Sequence, residues 1–597
     1  GIITNKLVNR DLEETDYKKG SNIPIPVKDV YFQLINNNVL DMDAFSAPEA
    51  SQVEKSIYAK YSQSREQTLS WIRSELLNEN AAPMASLGED QKSYMQYIYS
   101  YLVSQEVVVR DRIDRDSEAY QAWAAETVSL REYLYKGIAE NWIDTTKLKM
   151  EDKYSDADHI YQILVDYVIG DLETDSEFSK RIYKYLINGG SVTGKELCLA
   201  LYSQNILAYD EAEVRMLEAN GDEYAFQFIR QKISDIEITP AQLALDPCSA
   251  GCVVTDVKTG EVRALVTYPS YDNNKFSGTV DAEYYNKLNN DMSLPLFNNA
   301  TQAQKAPGST FKPIMAVVAL EEKAIGLSET VNCTGMYQEI TPHMRCWIYP
   351  GQHGPLDAEH GIMNSCNVFF ADMGHRLSMD ENGTYSPELG IEKIRKYAAM
   401  FGLDETSGIE ISEKSPQMTT EKPEASSIGQ ANHSYSNVQL ARYITAIANR
   451  GTVFKLSLLD KLTDSQGNLI TDYTPEVRST VDIADSTWNV VHSGMRKVIS
   501  DGSAKKIFSD LEVDIAGKTG TAEELKNGHI INHAFFVSFA PYQDPEIAVT
   551  VNIPYGYSSS NAATAAKNIY RYYYGYTDLD YILNNSALNV SNVEIGD

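Results

Sequence analysis

A serine three residues ahead of a lysine is the first sign of chemistry in this 597-residue chain. In "APGSTFKPIMAVVAL", Ala306 to Leu320, Ser309 precedes Lys312, with Pro307-Gly308 in front and an apolar run behind. A free hydroxyl attacks a carbonyl poorly unless a base takes its proton. On a helix, Lys312 stands one turn beyond Ser309 on the same face, where a neutral amine accepts that proton. The same serine is equally well suited to capping a helix start, so the motif alone leaves both roles open. Two further short motifs follow: Ser365-Cys366-Asn367 in "MNSCNVFFADMG", and Lys518-Thr519-Gly520-Thr521 inside a β-rich run. Each is weak alone, but their order and the kinds of segment that hold them narrow the reading.

The elements that must position these residues are legible in outline. From about Pro48 to Asp235, apolar residues recur at three- and four-residue spacing, as in "EYLYKGIAENWI" and "HIYQILVDYVIGDL", the pattern of amphipathic helices. These stripes are core faces and carry no chemistry. Gly20 to Pro26 and Asn78 to Gly88 read as loops. Past Thr239-Pro240 the pattern changes. "GCVVTDVKTGEVRALVTYPS" is a hairpin turning at Lys258-Thr259-Gly260. A buried helix follows Ser309, with Pro313 tolerated in its first turn, and then a helical and loop region to about Ser500. "VDIAGKTGTAE", "HAFFVSFAP" and "EIAVTVNIP" are strands, and a last helix spans about Ser559 to Tyr574. Strands, then helices, then strands and a helix predict an α+β fold: a mostly antiparallel sheet flanked by helices, with an inserted helical lobe. The expected division is 1–239, mostly helical, and 240–597, the unit that holds all three motifs.

Composition bounds the partners. The net charge is −31, from 83 acidic and 52 basic residues, which argues against nucleic acid and anionic membrane surfaces. At 43% hydrophobic residues the chain reads as globular. No apolar run reaches the eighteen or so residues of a membrane span. The six cysteines are too few for a disulfide scaffold of this length.

The triplet S-x-x-K, S-x-N and K-T-G is that of penicillin-binding proteins and β-lactamases, and the chain resembles a class B penicillin-binding protein from about Cys248 to Tyr574. "DVKTGEVRALVTYPSYDNNKF" is similar to the family's opening hairpin, and "SSIGQANHSYSNVQLARYITAIANRG" to its Gly-Gln segment and following helix. "HAFFVSFAPYQDPEIAVTV" is similar to the strands after K-T-G. Ser436-Asn437 depart from a common Thr-Pro pair. The resemblance implies a transpeptidase domain and a D,D-transpeptidase that cross-links stem peptides ending in D-Ala-D-Ala. Ser309 would be the nucleophile and Lys312 its base, with Lys518 the second ammonium that holds Lys312 neutral. Ser365 would relay protons, Asn367 would hold the substrate amide, and Lys518, Thr519, Gly520 and Thr521 would take the terminal carboxylate. The backbone N–H groups of Ser309 and Thr521 would form the oxyanion hole. β-Lactams would trap Ser309. A β-lactamase or β-lactam sensor is the alternative, since "STFK" also occurs in class D enzymes. A non-catalytic scaffold has no need of Ser309 or Lys312.

Cys333, Cys346, His353 and Cys366 form C-x12-C-x6-H-x12-C. Three thiolates and an imidazole make a closed tetrahedral zinc site; a Cys333–Cys346 disulfide is the competing reading. The segment resembles the zinc-binding one of elongation-type penicillin-binding protein 2, which implies a structural zinc, with His343 and His360 as spare ligands. No cofactor is needed for the chemistry itself. The resemblance also implies that residues 1–239 are a non-catalytic pedestal, that a membrane anchor precedes Gly1 and places the protein on the extracytoplasmic face of a bacterial membrane, and that a SEDS-type glycan polymerase is a partner.

Overall fold

The structure, a computed structural model, describes residues 1–9, 24–148, 156–526 and 529–585. Two compact units form: Gly1–Pro26 with Arg230–Asp597, and Val27–Ile229. The sequence division leaves Gly1–Pro26 with the helical part, whereas here that segment groups with the C-terminal unit. Leu7–Val8 pairs in parallel with Ile25–Pro26, and Lys6 Nζ lies 4.2 Å from the centroid of the Tyr557 ring. Such two-residue pairings leave no period in the sequence. Of the segment read as a loop at 20–26, residues 20–23 lie outside the described residues.

Val27–Ile229 is helical, as its periodicity requires. Its longest helix, Gln52–Leu77, begins in a capping box in which Ser51 and Glu54 satisfy each other's backbone N–H. Its core is aromatic, with Tyr61 stacked on Tyr183 at 4.6 Å and Trp123 on Tyr133 at 4.8 Å. Among the described residues no helix is long and apolar enough to cross a membrane.

The other unit is built on five antiparallel strands: β1 (Ala250–Asp256), β2 (Val262–Tyr268), β3 (Ala516–Lys526), β4 (His529–Ala540) and β5 (Ile547–Ile553). Their order is β3-β4-β5-β1-β2, so the K-T-G strand β3 lies at an edge. Helices α1 (Lys312–Glu321), α2 (Asn367–Leu377), α3 (Asn437–Ala448), α4 (Asp485–Ser500) and α5 (Ser559–Tyr573) belong to the same unit. The two-residue alternation of the strands assigns the faces. Thr255 of β1 hydrogen-bonds Thr445 of α3 at 2.6 Å, whereas Ser538 of β4 meets the Tyr570 hydroxyl of α5 at 2.9 Å. Register places Phe539, and hence not Ser538, on the Thr255 side. Helix α3 therefore covers one face and α5 the other. Lys518 stands opposite Val537, on the α3 side.

Helix α1 is apolar all round, and Ile314 to Ala319 are fully buried. A helix of this kind is held by tertiary packing on every side. The region before Ser500, expected to be helix and loop, also contains small antiparallel pairs, two of them late in it: Thr452–Lys455 with Glu476–Thr480, and Lys461–Thr463 with Leu469–Asp472. The second pair is exposed along its length, so no buried face stamps an alternation on its sequence. Replacing Ile314 by alanine should destabilise this unit by about 2–5 kcal/mol through loss of apolar burial and the cavity left behind, read as a lower urea midpoint for its unfolding.

Candidate active site

The serine turn is where the structure sharpens the sequence reading most. Gly308–Phe311 is a one-turn 3-10 helix that runs into α1, and Pro313 occupies the first turn of α1. Ser309 caps neither helix: no side-chain cap bond forms at either start. The capping reading is thereby removed, and the hydroxyl of Ser309, a residue only 5% exposed, remains uncommitted to the backbone. Behind the turn the Phe311 ring packs on His433 at 4.8 Å. Burial pushes His433 down to about 3, so that imidazole stays neutral.

Three motifs converge here through hydrogen bonds. Lys312 Nζ donates to the Ser365 carbonyl at 2.7 Å, to Ser365 Oγ at 3.2 Å and to Asn367 Oδ1 at 2.7 Å. Lys518 Nζ donates to the same Ser365 Oγ at 2.7 Å and to the Thr519 carbonyl at 2.9 Å. Both lysines and Ser365 have no exposed surface. One hydroxyl thus joins two buried amines, with a third contact from the Ser365 carbonyl. Ser365 reaches this position with φ at +50°, a left-handed conformation costly for a residue with a Cβ. The next residue, Cys366, caps α2 by accepting from the Phe369 N–H at 3.4 Å.

Strand β3 is drawn against the serine turn by glycine. A Cβ on Gly520 would lie 2.6 Å from Thr310 Cγ2 and 3.0 Å from the Thr310 nitrogen. Gly308 has φ at +53°, and its Cβ would meet the Thr521 carbonyl oxygen at 2.7 Å. The outward backbone of β3 is held by Gln430, whose Nε2 donates to the Thr521 carbonyl at 2.9 Å and whose Oε1 accepts from the Glu523 N–H at 3.2 Å. In an extended strand the N–H and C=O of one residue point the same way, so the Thr521 N–H faces off the sheet edge on the side of the serine turn. Thr519 Oγ1 lies 3.3 Å from Ser503 Oγ. Ser503 was not singled out from the sequence, and Gln430 stood there only as part of the Gly-Gln segment, with no partner assigned; it lies 91 residues from its carbonyl partner, and no spacing rule spans that distance.

The cysteine and histidine positions also meet. Cys333 Sγ and Cys346 Sγ lie 3.5 and 3.6 Å from His353 Nδ1, and Cys346 Sγ lies 3.9 Å from Cys366 Sγ. All four ligand atoms fall within 4.8 Å of one another. Short antiparallel pairs set them up: Val331–Cys333 with Gly354–Leu356, and Met336–Tyr337 with Met344–Arg345. The spare histidines are engaged elsewhere, His343 Nδ1 with the Ile340 carbonyl at 2.9 Å and His360 Nδ1 with Asp357 at 2.7 Å. This cluster touches the motif residues twice. Cys366 stands between Ser365 and Asn367, and Asn367 Nδ2 donates to the Arg345 carbonyl at 3.3 Å, one residue before Cys346.

An antiparallel sheet with a serine turn at its edge strand, and two buried lysines joined through a second serine, bring the three sequence motifs into one site. The chain belongs to the penicillin-binding protein transpeptidase family, whose profile, "Penicillin binding protein transpeptidase domain", matches residues 250–571. It is similar to the peptidoglycan D,D-transpeptidase MrdA of Haemophilus influenzae, 30% identical over 358 residues, 54% of this chain and 52% of that one. The MrdA protein of Escherichia coli K12 is 30% identical over 351 residues, 54% of this chain and 53% of that one. A solved chain from work on "structural coordination of polymerization and crosslinking by a peptidoglycan synthase complex" superposes with a TM-score of 0.50 at 26% identity, covering 55% of this chain and 56% of that one. The chain spans about half the length of the curated relatives it matches. The likeness to the class B, elongation-type members that the motifs suggest holds at this level.

Gly520→Ala should force the serine turn off β3. We expect a fall of about a hundredfold in the rate of labelling by a fluorescent penicillin, the scale of a 1 Å misplacement in an active site, with the circular dichroism of the wild type retained.

Proposed function

We propose that the protein is a serine-type D,D-transpeptidase that cross-links peptidoglycan stem peptides through an acyl-enzyme on Ser309. The observation that carries this reading is the double donation of Lys312 and Lys518 to Ser365 Oγ beside an uncapped Ser309. Two ammonium groups sharing one hydroxyl without solvent repel each other and are poorly solvated, and both effects favour loss of a proton. A neutral Lys312 takes the Ser309 proton as Oγ attacks the carbonyl of the penultimate D-Ala. The oxyanion that forms is met by the Ser309 and Thr521 N–H groups, the former in the first turn of the helix, where N–H groups have no intrahelical partner. The C–N bond breaks, and the departing D-Ala amine receives a proton through Ser365, whose hydroxyl can accept from both lysines and still donate. An amine of a second peptide then attacks the ester and loses its proton along the same path. The amide forms and Ser309 Oγ leaves, reprotonated by Lys312. Lys518, Thr519 and Thr521 bind the terminal carboxylate of the donor, with Gly520 keeping the strand close, and Asn367 orients the peptide amide. β-Lactams acylate the same oxygen.

The Cys333, Cys346, His353 and Cys366 cluster fits a structural zinc. Bonds of about 2.3 Å to sulfur and 2.0–2.1 Å to nitrogen at tetrahedral angles require separations of about 3.8 Å between sulfurs and about 3.6 Å between sulfur and nitrogen. The separations of 3.9, 3.5 and 3.6 Å match. Bound there, zinc would hold Cys366 and the Arg345–Cys346 backbone in place on either side of Asn367. It takes no part in the reaction, since four protein ligands fill it. The resemblance to elongation-type penicillin-binding protein 2 supports a role in wall elongation on the extracytoplasmic face of a bacterial membrane, beside a SEDS-type glycan polymerase, with Val27–Ile229 in the non-catalytic region.

A fluorescent penicillin should label the wild type and leave Ser309→Ala and Lys312→Ala unlabelled; an unlabelled wild type refutes the assignment. Purified protein should contain about one zinc per chain, and Cys346→Ser should lose it and melt at lower temperature. A metal-free chain carrying a Cys333–Cys346 disulfide in its mass spectrum would refute the zinc site.

A further inference from the structure

We infer that Arg345, backed by Tyr349, is a subsite for a carboxylate of the peptide substrate other than the C-terminal one; this rests on the transpeptidase reading. Its guanidinium lies 5.0 Å from the centroid of the Tyr349 ring. Among the described residues it meets no carboxylate, although the chain has 83 acidic residues against 52 basic ones. Other arginines of the same unit are paired: Arg376 with Asp372, Arg478 with Asp404 and Arg571 with Asp510. Leaving an exposed cation unpaired in so acidic a molecule keeps it available to an incoming anion.

The position is tied to the reacting groups. The Arg345 carbonyl accepts from Asn367 Nδ2 at 3.3 Å, and Asn367 Oδ1 accepts from Lys312 Nζ at 2.7 Å. Two hydrogen bonds therefore separate this backbone from the catalytic lysine. The segment is also rigidly held. The Cys346 N–H donates to the Gly335 carbonyl and the Tyr349 N–H to the Cys346 carbonyl, each at 3.0 Å. The Trp347 indole donates to the Asn364 carbonyl at 2.9 Å. Trp347 and Tyr349 are nonetheless 40% and 42% exposed, two aromatic surfaces alternating with backbone anchors beside Asn367. A guanidinium laid on an aromatic ring presents its planar fork without further ordering, and that fork matches a carboxylate bidentately.

A peptide held by Asn367 can supply the carboxylate from either side of the reaction: a residue upstream of the scissile bond in the donor, or the residue that carries the attacking amine in the acceptor. Both are one chemistry, and rate measurements separate them. The donor arm compares acylation of Ser309 by synthetic pentapeptides ending in D-Ala-D-Ala, with a free carboxylate or a carboxamide at the second residue. The acceptor arm compares aminolysis of the acyl-enzyme by D-phenylalanine and by its amide.

The wild type is expected to prefer the carboxylate by about tenfold or more in one arm, the size of a charge-assisted hydrogen bond pair. Arg345→Gln should bring that ratio close to one, and Arg345→Lys, which keeps the charge but not the fork, should fall between. Wild-type ratios near one in both arms would overturn the proposal, as would a preference that survives in Arg345→Gln. Because each ratio is taken within one variant, partial misfolding does not mimic the result. Absence of any acyl-enzyme on Ser309, with penicillin as well as with peptides, would instead overturn the transpeptidase reading beneath it.

Discussion

The hydroxyl of Ser365 is the point on which the site turns. Lys312 and Lys518 come from a helix and an edge strand that are far apart in sequence, and both Nζ atoms reach the same Oγ. Two amines brought together out of water cannot both keep a proton cheaply. The pairing that organises the three motifs is thus also what brings two buried amines onto one hydroxyl. Ser365 holds this position only by adopting a left-handed backbone, and the neighbouring residues provide the restraint: Cys366 caps α2, and the Ser365 carbonyl is fixed by Lys312.

A second constraint is how closely two backbones approach. Strand β3 is an edge strand, so its outward N–H and C=O groups have no neighbouring strand to pair with. Bringing the serine turn against that edge requires glycine on each side, Gly520 on the strand and Gly308 on the turn. Gln430 then takes the Thr521 carbonyl and the Glu523 N–H, and Lys518 the Thr519 carbonyl, with the Thr521 N–H left on the side of the serine turn. The sheet supplies the rigid half of the site, and helix α1, packed on every side, supplies the other.

The cysteine and histidine cluster extends the same logic outward. It does not touch Ser309. It includes Cys366, between two motif residues, and Cys346, next to the carbonyl that accepts from Asn367. The same segment also displays Arg345, Trp347 and Tyr349, so one stretch of chain carries both the carbonyl that meets Asn367 and a surface beside it.

Much of this was legible before the fold was known, and the reason differs from feature to feature. The strands, the buried helix after Ser309 and the helical character of residues 27–229 follow from local periodicity, because a half-buried strand or helix repeats its apolar residues at a fixed interval. Ser309, Lys312, Ser365, Asn367 and Lys518 were legible as motifs, and the four metal-type residues as a spacing. The exposed pair at 461–472 and the Leu7–Val8 pairing were not legible, since neither buries a face that composition would record. Nor was the partner of Gln430, which lies across the fold. By itself the sequence determined which residue types stand at which intervals along each element, a one-dimensional property. Only the tertiary structure decided that Ser309 caps nothing, that two lysines share one hydroxyl and that Arg345 stands beside Asn367. The last two are contacts between segments many residues apart, and distance along the chain has no bearing on distance across a packed core.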